Sequence, residues 1–252
     1  MAEYHHKAVM RVRAPLRWVL WDVKDTLLQV RGSVGEQYAK EAGRLGLSLS
    51  PAEVDNAFQQ AYQHYNSTYP NYGLSQGLNG QTWWVRVVKE TLSLCRVQDP
   101  VLINTVANKI YHKFNTAENL EVYSDSERTL QSCSSLGLKL GVVSNFDTRL
   151  EAILQSCGLL SHFSFLLSSE EAGVAKPNPA IFTQALQKCG TAADGVAHVG
   201  DHYVKDYLAS RSVGIHGFLL DRHNKHKDSD VPPEHRISSL DELPSRLQQL
   251  MD

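Results

Sequence analysis

The chain has 252 residues, a formal net charge of −2 and 42% hydrophobic residues. This composition is typical of a soluble globular protein, and the near-neutral charge is unlike that of proteins that bind nucleic acid without sequence preference. No apolar run approaches the roughly 18 residues that a membrane span needs. We therefore expect neither nucleic acid nor a membrane as a partner.

The cysteines and the start of the chain bear on the compartment. The four cysteines form no C-x-x-C pair, which favours reduced thiols in an intracellular, most simply cytoplasmic, protein. Residues 1–15 contain no apolar stretch of signal-peptide length. However, Arg11, Arg13 and Arg17 make this region basic, which leaves a mitochondrial address open. The sequence indicates no oligomeric state.

The first predicted element is a buried strand over residues 17–22, a short run of bulky apolar residues that ends in a carboxylate. The pattern then changes to helical. Residues 31–115 show no convincing strand, and a loop with several glycines lies at 69–80. The helices predicted in this block cover residues 33–47, 51–66, 81–95 and 100–114.

Strands and helices alternate from residue 119 onwards. The predicted strands are 138–144, 163–168, 196–200 and 215–220, and the predicted helices are 124–136, 149–157, 179–189, 203–212 and 241–251. Such alternation predicts a parallel sheet covered on both faces. The predicted fold class is therefore α/β, with a Rossmann-like, doubly wound core (1–30 and 116–252) and an all-helical block (31–115) inserted after the first strand.

Polar side chains follow several of these strands, and a lysine lies in a loop between two of them. Because ligands of an open parallel sheet bind beyond the carboxyl ends of its strands, these side chains are candidate site residues. They are Asp22, Lys24, Asp25 and Thr26 after the first strand, Ser144 and Asn145 after the second, Lys176 in the loop before residue 179, and Asp201 and Asp206 after the fourth.

This set suits the transfer of a phosphoryl or acyl-like group to a carboxylate. Asp22 would attack the electrophilic centre and form a covalent intermediate that water later hydrolyses. A Mg²⁺ ion held by Asp22 and Asp201 would offset the negative charges, since Mg²⁺ prefers carboxylate oxygens. Lys176 would add a fixed positive charge, and Ser144 would donate a hydrogen bond to the transferred group.

Four segments resemble the motifs of the haloacid dehalogenase-like hydrolase superfamily: VLWDVKDTLL, LGVVSNFD, AKPNPAIF and HVGDHYVKDYLASRSVGIHG. The resemblance extends from Trp18 to about Leu220. It implies that the helical block is a cap over the site. It also implies a Mg²⁺-dependent hydrolase, most simply a phosphatase that acts on a small phosphorylated metabolite through an aspartyl-phosphate.

The resemblance also implies a role for each matching residue. These roles are the nucleophile for Asp22, the first-motif threonine for Thr26, the second-motif hydroxyl for Ser144, the third-motif lysine for Lys176, the Mg²⁺-binding acid for Asp201, and its supporting acid for Asp206. The backbone carbonyl of Lys24 would be a further metal ligand.

One position departs from the family pattern. Phosphatases of this family carry a second Asp two residues after the nucleophile, which protonates the leaving alkoxide and then activates water. Here that residue is Lys24, and a charged lysine cannot act as a base. The usual glycine at the next position is Asp25. The departure puts turnover in question, and with it the assignment of the chain as an enzyme.

Four interpretations of Lys24 stay open. In the first, Asp25 supplies the missing carboxylate, although we expect its side chain to point away from that of Lys24. In the second, Lys24 protonates the leaving group or pairs with a substrate phosphate. In the third, hydrolysis is slow because it lacks the ~10²–10⁴-fold help of acid–base catalysis. In the fourth, the protein has lost turnover and binds a ligand or a partner. Dehalogenation is disfavoured because Asp201 and Asp206 resemble the metal-dependent branch.

Aromatic residues cluster around the loop of the helical block. Tyr69, Tyr72, Trp83 and Trp84 are expected to pack the helices against one another, Trp84 in particular. The alternative is that Asn71, Tyr72 or Trp83 faces the site and contacts a substrate. The sequence names no substrate.

Overall fold

The computed structural model describes residues 14–251, so the basic residues Arg11 and Arg13 lie outside the described part of the chain. The strands of the described part are short. In chain order they are β1 (Trp18–Trp21), β2 (Leu28–Val30), β3 (Leu120–Val122), β4 (Lys139–Ser144), β5 (Phe165–Ser168), β6 (Val196–Gly200), β7 (His216–Leu220) and β8 (Arg236–Ile237).

The α-helices of the described part fall into two groups along the chain. Those of the first group are α1 (Val34–Gly43), α2 (Pro51–Thr68), α3 (Gly80–Leu94) and α4 (Pro100–Lys113). Those of the second are α5 (Ser126–Ser135), α6 (Leu150–Ser156), α7 (Ser169–Ala172), α8 (Ala180–Cys189), α9 (Ala209–Arg211) and α10 (Leu243–Met251). A π-helix (Tyr203–Leu208) precedes α9, and a 3₁₀ helix (Asn71–Gln76) occupies the predicted loop before α3.

The main sheet has six parallel strands in the order β5-β4-β1-β6-β7-β8. Strand β1 is flanked by β4 and β6, so the carboxyl ends of these three strands are adjacent at one edge. Helices pack on the two faces of the sheet over separate apolar clusters. The predicted α/β class with a doubly wound parallel sheet is confirmed.

Strand β1 shows why the sheet is buried on both faces. Its four residues are all buried. Val19 and Trp21 belong to the apolar cluster on one face, whereas Trp18 and Leu20 belong to the cluster on the other. Because successive side chains of a strand point to opposite faces, an unbroken apolar run fits a strand with helices on both sides.

Two strands that the sequence pattern did not predict flank the first group of helices. β2 and β3 pair antiparallel, with Gln29 opposite Glu121. The helices between them (34–113), here called the helical insertion, bury their own apolar cluster, which includes Val54, Leu92 and Val106. The predicted division of the chain into core (1–30 and 116–252) and cap (31–115) stays a prediction.

Within residues 14–251, no helix combines the length and the apolar composition that crossing a bilayer requires. All four cysteines fall in this part of the chain, and each is a free thiol: Cys95, Cys133, Cys157 and Cys189.

Candidate active site

The carboxylate of Asp22 lies just beyond β1, in the middle of the sheet edge, and the residue is only 7% exposed. Its Oδ1 atom accepts hydrogen bonds from Ser144 Oγ at 3.0 Å and from Lys176 Nζ at 2.7 Å. Its Oδ2 atom accepts a longer bond, 3.3 Å, from Thr26 Oγ1. The structure therefore brings these four predicted site residues together, and Oδ2 is the less restrained of the two carboxylate oxygens.

The ammonium group of Lys176 is buried between two carboxylates. Its Nζ atom donates to Asp22 Oδ1 at 2.7 Å, to Asp206 Oδ1 at 2.5 Å and to the Val143 carbonyl at 3.0 Å. Burial alone would lower the pKa of Lys176, but the charges of Asp206 and Asp22 raise it above the ordinary value. Lys176 is therefore a permanent positive charge beside Asp22.

Asn145 fixes the backbone of the loop that carries Lys176. The Asn145 amide nitrogen donates to the Lys176 carbonyl at 2.8 Å, and its Oδ1 atom accepts from the Lys176 N–H at 2.7 Å. Because Asn145 follows β4 directly, this pair of bonds ties the loop to the edge of the sheet. The predicted site residue Asn145 thus contacts the backbone of Lys176, and its side chain positions the lysine.

Three acids form a compact group at the same edge. The carboxylates of Asp22, Asp201 and Asp206 each place an oxygen within 4.8 Å of the others, so the group could hold a metal ion. Burial raises the pKa of Asp201 to about 7, and the negative charges of Asp22, Asp206 and Asp25 act in the same direction. Lys176 pairs with Asp22 and Asp206, and Lys24 only partly offsets the charge of Asp201. An oxygen-lined site with surplus negative charge fits a hard divalent cation such as Mg²⁺.

The surroundings of Asp206 hold its carboxylate in place. Its Oδ1 atom lies 3.0 Å from His198 Nε2, and its Oδ2 atom accepts from the His202 N–H at 3.1 Å. A Cβ atom at Gly200 would lie 2.2 Å from Asp206 Cγ, so this close approach requires glycine. Burial would raise the pKa of Asp206, but Lys176 and His198 lower it below the ordinary value, which keeps the acid ionised.

Lys24 and Asp25 form an ion pair of their own at the mouth of the site. Lys24 Nζ lies 2.6 Å from Asp25 Oδ2, and their side chains are 57% and 45% exposed. The expectation that Asp25 points away from Lys24 is therefore wrong. Alternation of side chains holds in an extended strand, whereas Asp25 has a left-handed φ of 61°, which turns its side chain towards its neighbour.

The charge state of Lys24 follows from this pair. Burial would lower the pKa of Lys24, but the Asp25 carboxylate raises it above the ordinary value, with a smaller contribution from Asp201. Lys24 is therefore an ammonium group at neutral pH and has no lone pair for a metal or a proton. The suggested role of its backbone carbonyl as a metal ligand stays a prediction.

A cavity of about 560 Å³ lies between the sheet edge and the helical insertion. On the sheet side it is lined by the predicted site residues Asp22, Lys24, Asp25, Ser144, Asn145, Lys176, Asp201 and Asp206. On the opposite side it is lined by residues of the insertion, among them Tyr72 and Trp84. Trp83 is 2% exposed and packs among the other aromatic residues of the insertion, including Tyr65 and Tyr72.

Polar contacts hold the insertion over the sheet edge. Glu170, in α7, accepts from the Gly80 N–H at 2.6 Å through Oε1 and from the Thr148 N–H at 2.8 Å through Oε2. Tyr72 donates its hydroxyl hydrogen to the Asn145 carbonyl at 3.3 Å. A Cβ atom at Gly80 would lie 2.5 Å from Asp147 Cβ, so the close packing of the insertion against the loop after β4 depends on glycine there.

Sequence reasoning missed a buried ion pair in the cavity wall. Arg149 donates to Asp147 through Nε at 2.9 Å and Nη2 at 2.6 Å, and through Nη1 to the Tyr111 carbonyl at 3.2 Å. Its guanidinium lies 4.3 Å from the Tyr111 ring centroid. The signal was an acid and an arginine two residues apart, directly after a buried strand. The sequence analysis also missed His198, although a histidine inside an otherwise apolar strand indicates a buried polar contact.

Comparisons with known proteins agree with this geometry. The model of the haloacid dehalogenase-like hydrolase family matches residues 16–214. A haloacid dehalogenase-like hydrolase domain-containing protein 3 of Danio rerio is 60% identical over 242 residues, which cover 96% of this chain and 100% of the relative.

Two solved structures have the same fold at low sequence identity. A 2-haloacid dehalogenase from Pseudomonas syringae pv. Tomato DC3000 has a TM-score of 0.67 and 22% identity, with 93% of this chain and 99% of that chain covered. A HAD phosphatase from Thermococcus onnurineus has a TM-score of 0.62 and 21% identity, with 92% and 98% covered. The family match and the full-length relative show that this chain belongs to the haloacid dehalogenase-like hydrolases.

Proposed function

We propose that this protein is a slow, Mg²⁺-dependent phosphatase that acts on a small phosphate monoester through an aspartyl-phosphate at Asp22. The observation that carries the proposal is the network at Asp22. One of its oxygens is held by Ser144 and Lys176 while the other has only the longer bond from Thr26 among the described contacts. A carboxylate held in this way is oriented for attack and faces fixed hydrogen-bond donors.

In the first step, Asp22 Oδ2 attacks the phosphorus atom, and the bond from phosphorus to the leaving oxygen breaks. Lys176 and Ser144 hold Oδ1 by hydrogen bonds, and the positive charge of Lys176 would favour the negative charge that develops on the transferred group. Asp22, Asp201 and Asp206 would hold the Mg²⁺ ion, which supplies further positive charge next to the phosphoryl group. The leaving oxygen takes its proton from solvent, and the Lys24 ammonium stays protonated throughout.

In the second step, water attacks the phosphorus atom, the bond to Asp22 breaks, and inorganic phosphate leaves. The proton of the water passes to solvent, since Lys24 is an ammonium group and Asp25 is paired with it. Without a base at this position the step loses about 10²–10⁴-fold in rate. We therefore expect the aspartyl-phosphate to accumulate.

The test is a turnover assay with Mg²⁺ on acetyl phosphate and p-nitrophenyl phosphate. We expect slow turnover by the wild type, and none above buffer by Asp22→Asn or after chelation of Mg²⁺. Asp228→Asn is the control, since it changes an exposed acid that neither lines the cavity nor belongs to the metal-binding group. Mass spectrometry of the quenched wild type should show the added mass of one phosphoryl group. Equal turnover by wild type and Asp22→Asn would refute the proposal.

A second candidate is a protein of this fold that binds a ligand or partner without turnover. The observation that favours it is the Lys24–Asp25 pair, which occupies the place of the family's acid–base carboxylate. Its signature would be saturable binding of a phosphate ester by the wild type with no aspartyl-phosphate. Including 2-chloropropionate as a substrate tests dehalogenation in the same assay, because one structural relative is a dehalogenase.

A further inference from the structure

The cavity above Asp22 has two chemically different sides. The side at the sheet edge carries the charged groups of Asp22, Lys24 and Lys176. The opposite side is rich in aromatic rings from the helical insertion and from Phe114, which directly follows it. The rings here called the aromatic wall are Tyr38, Phe58, Tyr62, Trp84, Tyr111 and Phe114. A ligand that reaches Asp22 with a phosphoryl group therefore extends its other end towards these rings.

The rings of the wall pack against one another in both stacked and edge-on geometries. Phe58 and Trp84 are parallel to within 3°, with centroids 6.5 Å apart. Tyr62 lies 5.8 Å from Phe58 and 5.9 Å from Trp84, and Tyr38 meets Phe58 edge-on at 5.8 Å. A planar ring bound against such a surface finds both the stacked and the edge-to-face geometries that aromatic pairs favour.

Apart from the Trp84 indole, the aromatic wall offers hydrogen bonds only through the hydroxyls of Tyr38, Tyr62 and Tyr111. The Arg149 guanidinium, which lines the same cavity, already donates to Asp147 and to the Tyr111 carbonyl. The indole N–H of Trp84 is buried without a hydrogen-bond partner among the described residues. A sugar has several hydroxyl groups, so on this side of the cavity it would exchange many hydrogen bonds to water for at most a few with these tyrosines. Each group left unpaired would cost about 1–3 kcal/mol.

The replacement of the family's second aspartate by Lys24 points to the same class of leaving group. An alkoxide needs strong protonation as it departs, which is the task of the carboxylic acid that this chain lacks. A phenolate-type oxygen spreads its negative charge over a ring and departs with much less help. The Lys24 ammonium at the cavity mouth would stabilise that charge by its proximity, without transferring its proton.

We infer that the physiological substrate is a phosphate monoester whose leaving group is an aromatic or similarly planar apolar ring, in preference to a sugar phosphate. The inference rests on the proposed phosphatase function for the position of the phosphoryl group. The cavity volume of about 560 Å³ suits a molecule with one or two fused rings.

Calorimetric titration with two phosphonates measures the contribution of the ring without turnover. The probes are 2-naphthylmethylphosphonate and methylphosphonate, each titrated into the full chain with Mg²⁺. We expect the naphthyl probe to bind at least about tenfold more tightly, because its ring leaves water for an apolar wall. Equal affinity of the two probes would overturn the inference.

Variants of the wall show whether the rings are the cause. Phe58→Leu and Trp84→Leu should weaken the naphthyl probe by about fivefold or more and leave methylphosphonate within about twofold. Tyr65→Leu is the matched control, because Tyr65 is also half-buried and lies on α2 with Phe58 but does not line the cavity. An equal loss of naphthyl affinity in the control and the wall variants would contradict the assignment.

Acetyl phosphate turnover separates this inference from the proposed function. Its leaving group is too short to reach the wall, so its hydrolysis depends on the groups at the sheet edge and not on the rings. Ring-dependent binding without acetyl phosphate turnover would support the aromatic ligand and refute the phosphatase. Turnover without ring-dependent binding would support the phosphatase and refute the aromatic substrate.

Discussion

The site has a buried end, where Lys176 lies, and a solvent-exposed end, where Lys24 lies. Lys176 is 4% exposed and donates to two carboxylates and a carbonyl, whereas the Lys24 side chain is 57% exposed and pairs with its sequence neighbour Asp25. A buried ammonium is stable only while its partners remain, because desolvation is otherwise uncompensated. Lys176 is therefore part of the structure that defines Asp22, and Lys24 is a replaceable group at the entrance.

Removing the buried charge should have the largest effect. In Lys176→Met, Asp22 and Asp206 lose their shared cation, and we expect turnover to fall by about 10³-fold. The free energy of unfolding should fall by about 3–5 kcal/mol, since two buried carboxylates lose a partner. Phosphatase assays and urea unfolding measure the two effects. Lys24→Met is the control, and equal losses in both variants would abolish the distinction between the two lysines.

Adding the missing acid should increase the rate. Lys24→Asp places a carboxylate two residues after Asp22, and we expect turnover of p-nitrophenyl phosphate to rise by up to about 10²-fold as the second step accelerates. Lys24→Asn removes the same charge without supplying an acid or base, so its rate should stay within about threefold of wild type. The same gain in both variants would mean that the ammonium obstructs the site and that acid–base help is irrelevant.

These two ends also differ in how well the sequence predicted them. Asp22, Ser144 and Asp201 could be placed together because the carboxyl ends of adjacent parallel strands share one edge, which the alternation of strands and helices already implies. The contact of Lys24 with Asp25 could not, since it depends on the positive φ of one non-glycine residue. Nothing in a residue's identity as aspartate requires that conformation.

The sequence pattern also could not predict the pairing of short strands that lie far apart in the chain. Strands β2 and β3 have three residues each and are separated by the whole helical insertion, so no periodicity reveals them. The position of Trp84 is a similar case. On α3, Trp83 is packed inside the insertion and its neighbour Trp84 lines the cavity, and which of the two faces the site depends on how the insertion sits on the core.

The ion pair of Asp125 and Arg222 does not line the cavity, so it allows the contribution of a buried carboxylate to stability to be measured. Asp125 accepts from Arg222 Nη1 at 2.7 Å and from the Leu240 N–H at 3.0 Å, and it is 4% exposed. Burial would raise the pKa of Asp125, but these bonds and one from Ser239 lower it below the ordinary value of 3.8. Its ionised form is therefore favoured by folding.

We expect Asp125→Asn to lower the free energy of unfolding by about 2 kcal/mol at pH 7. The pKa of Asp125 is lower in the folded than in the unfolded state, so this contribution is fully present at pH values above the unfolded-state pKa. It is lost as the pH falls through the folded-state pKa. The difference between wild type and variant should therefore shrink below about pH 4. Urea unfolding at several pH values measures it, and a constant difference down to pH 2 would contradict the assigned linkage.

The smallest effect should come from the exposed pair itself. In a double-mutant cycle of Lys24→Met and Asp25→Asn, we expect a coupling free energy below about 0.5 kcal/mol, because both charges are solvated and ordering two exposed side chains costs entropy. The coupling should fall further at 1 M salt, where the Debye length is about 3 Å. A coupling free energy above about 1.5 kcal/mol would mean that the Lys24–Asp25 pair is as strongly ordered as the buried contacts of Lys176. Lys24 would then be a fixed element of the site, and the rate gain expected for Lys24→Asp would come with a loss of stability.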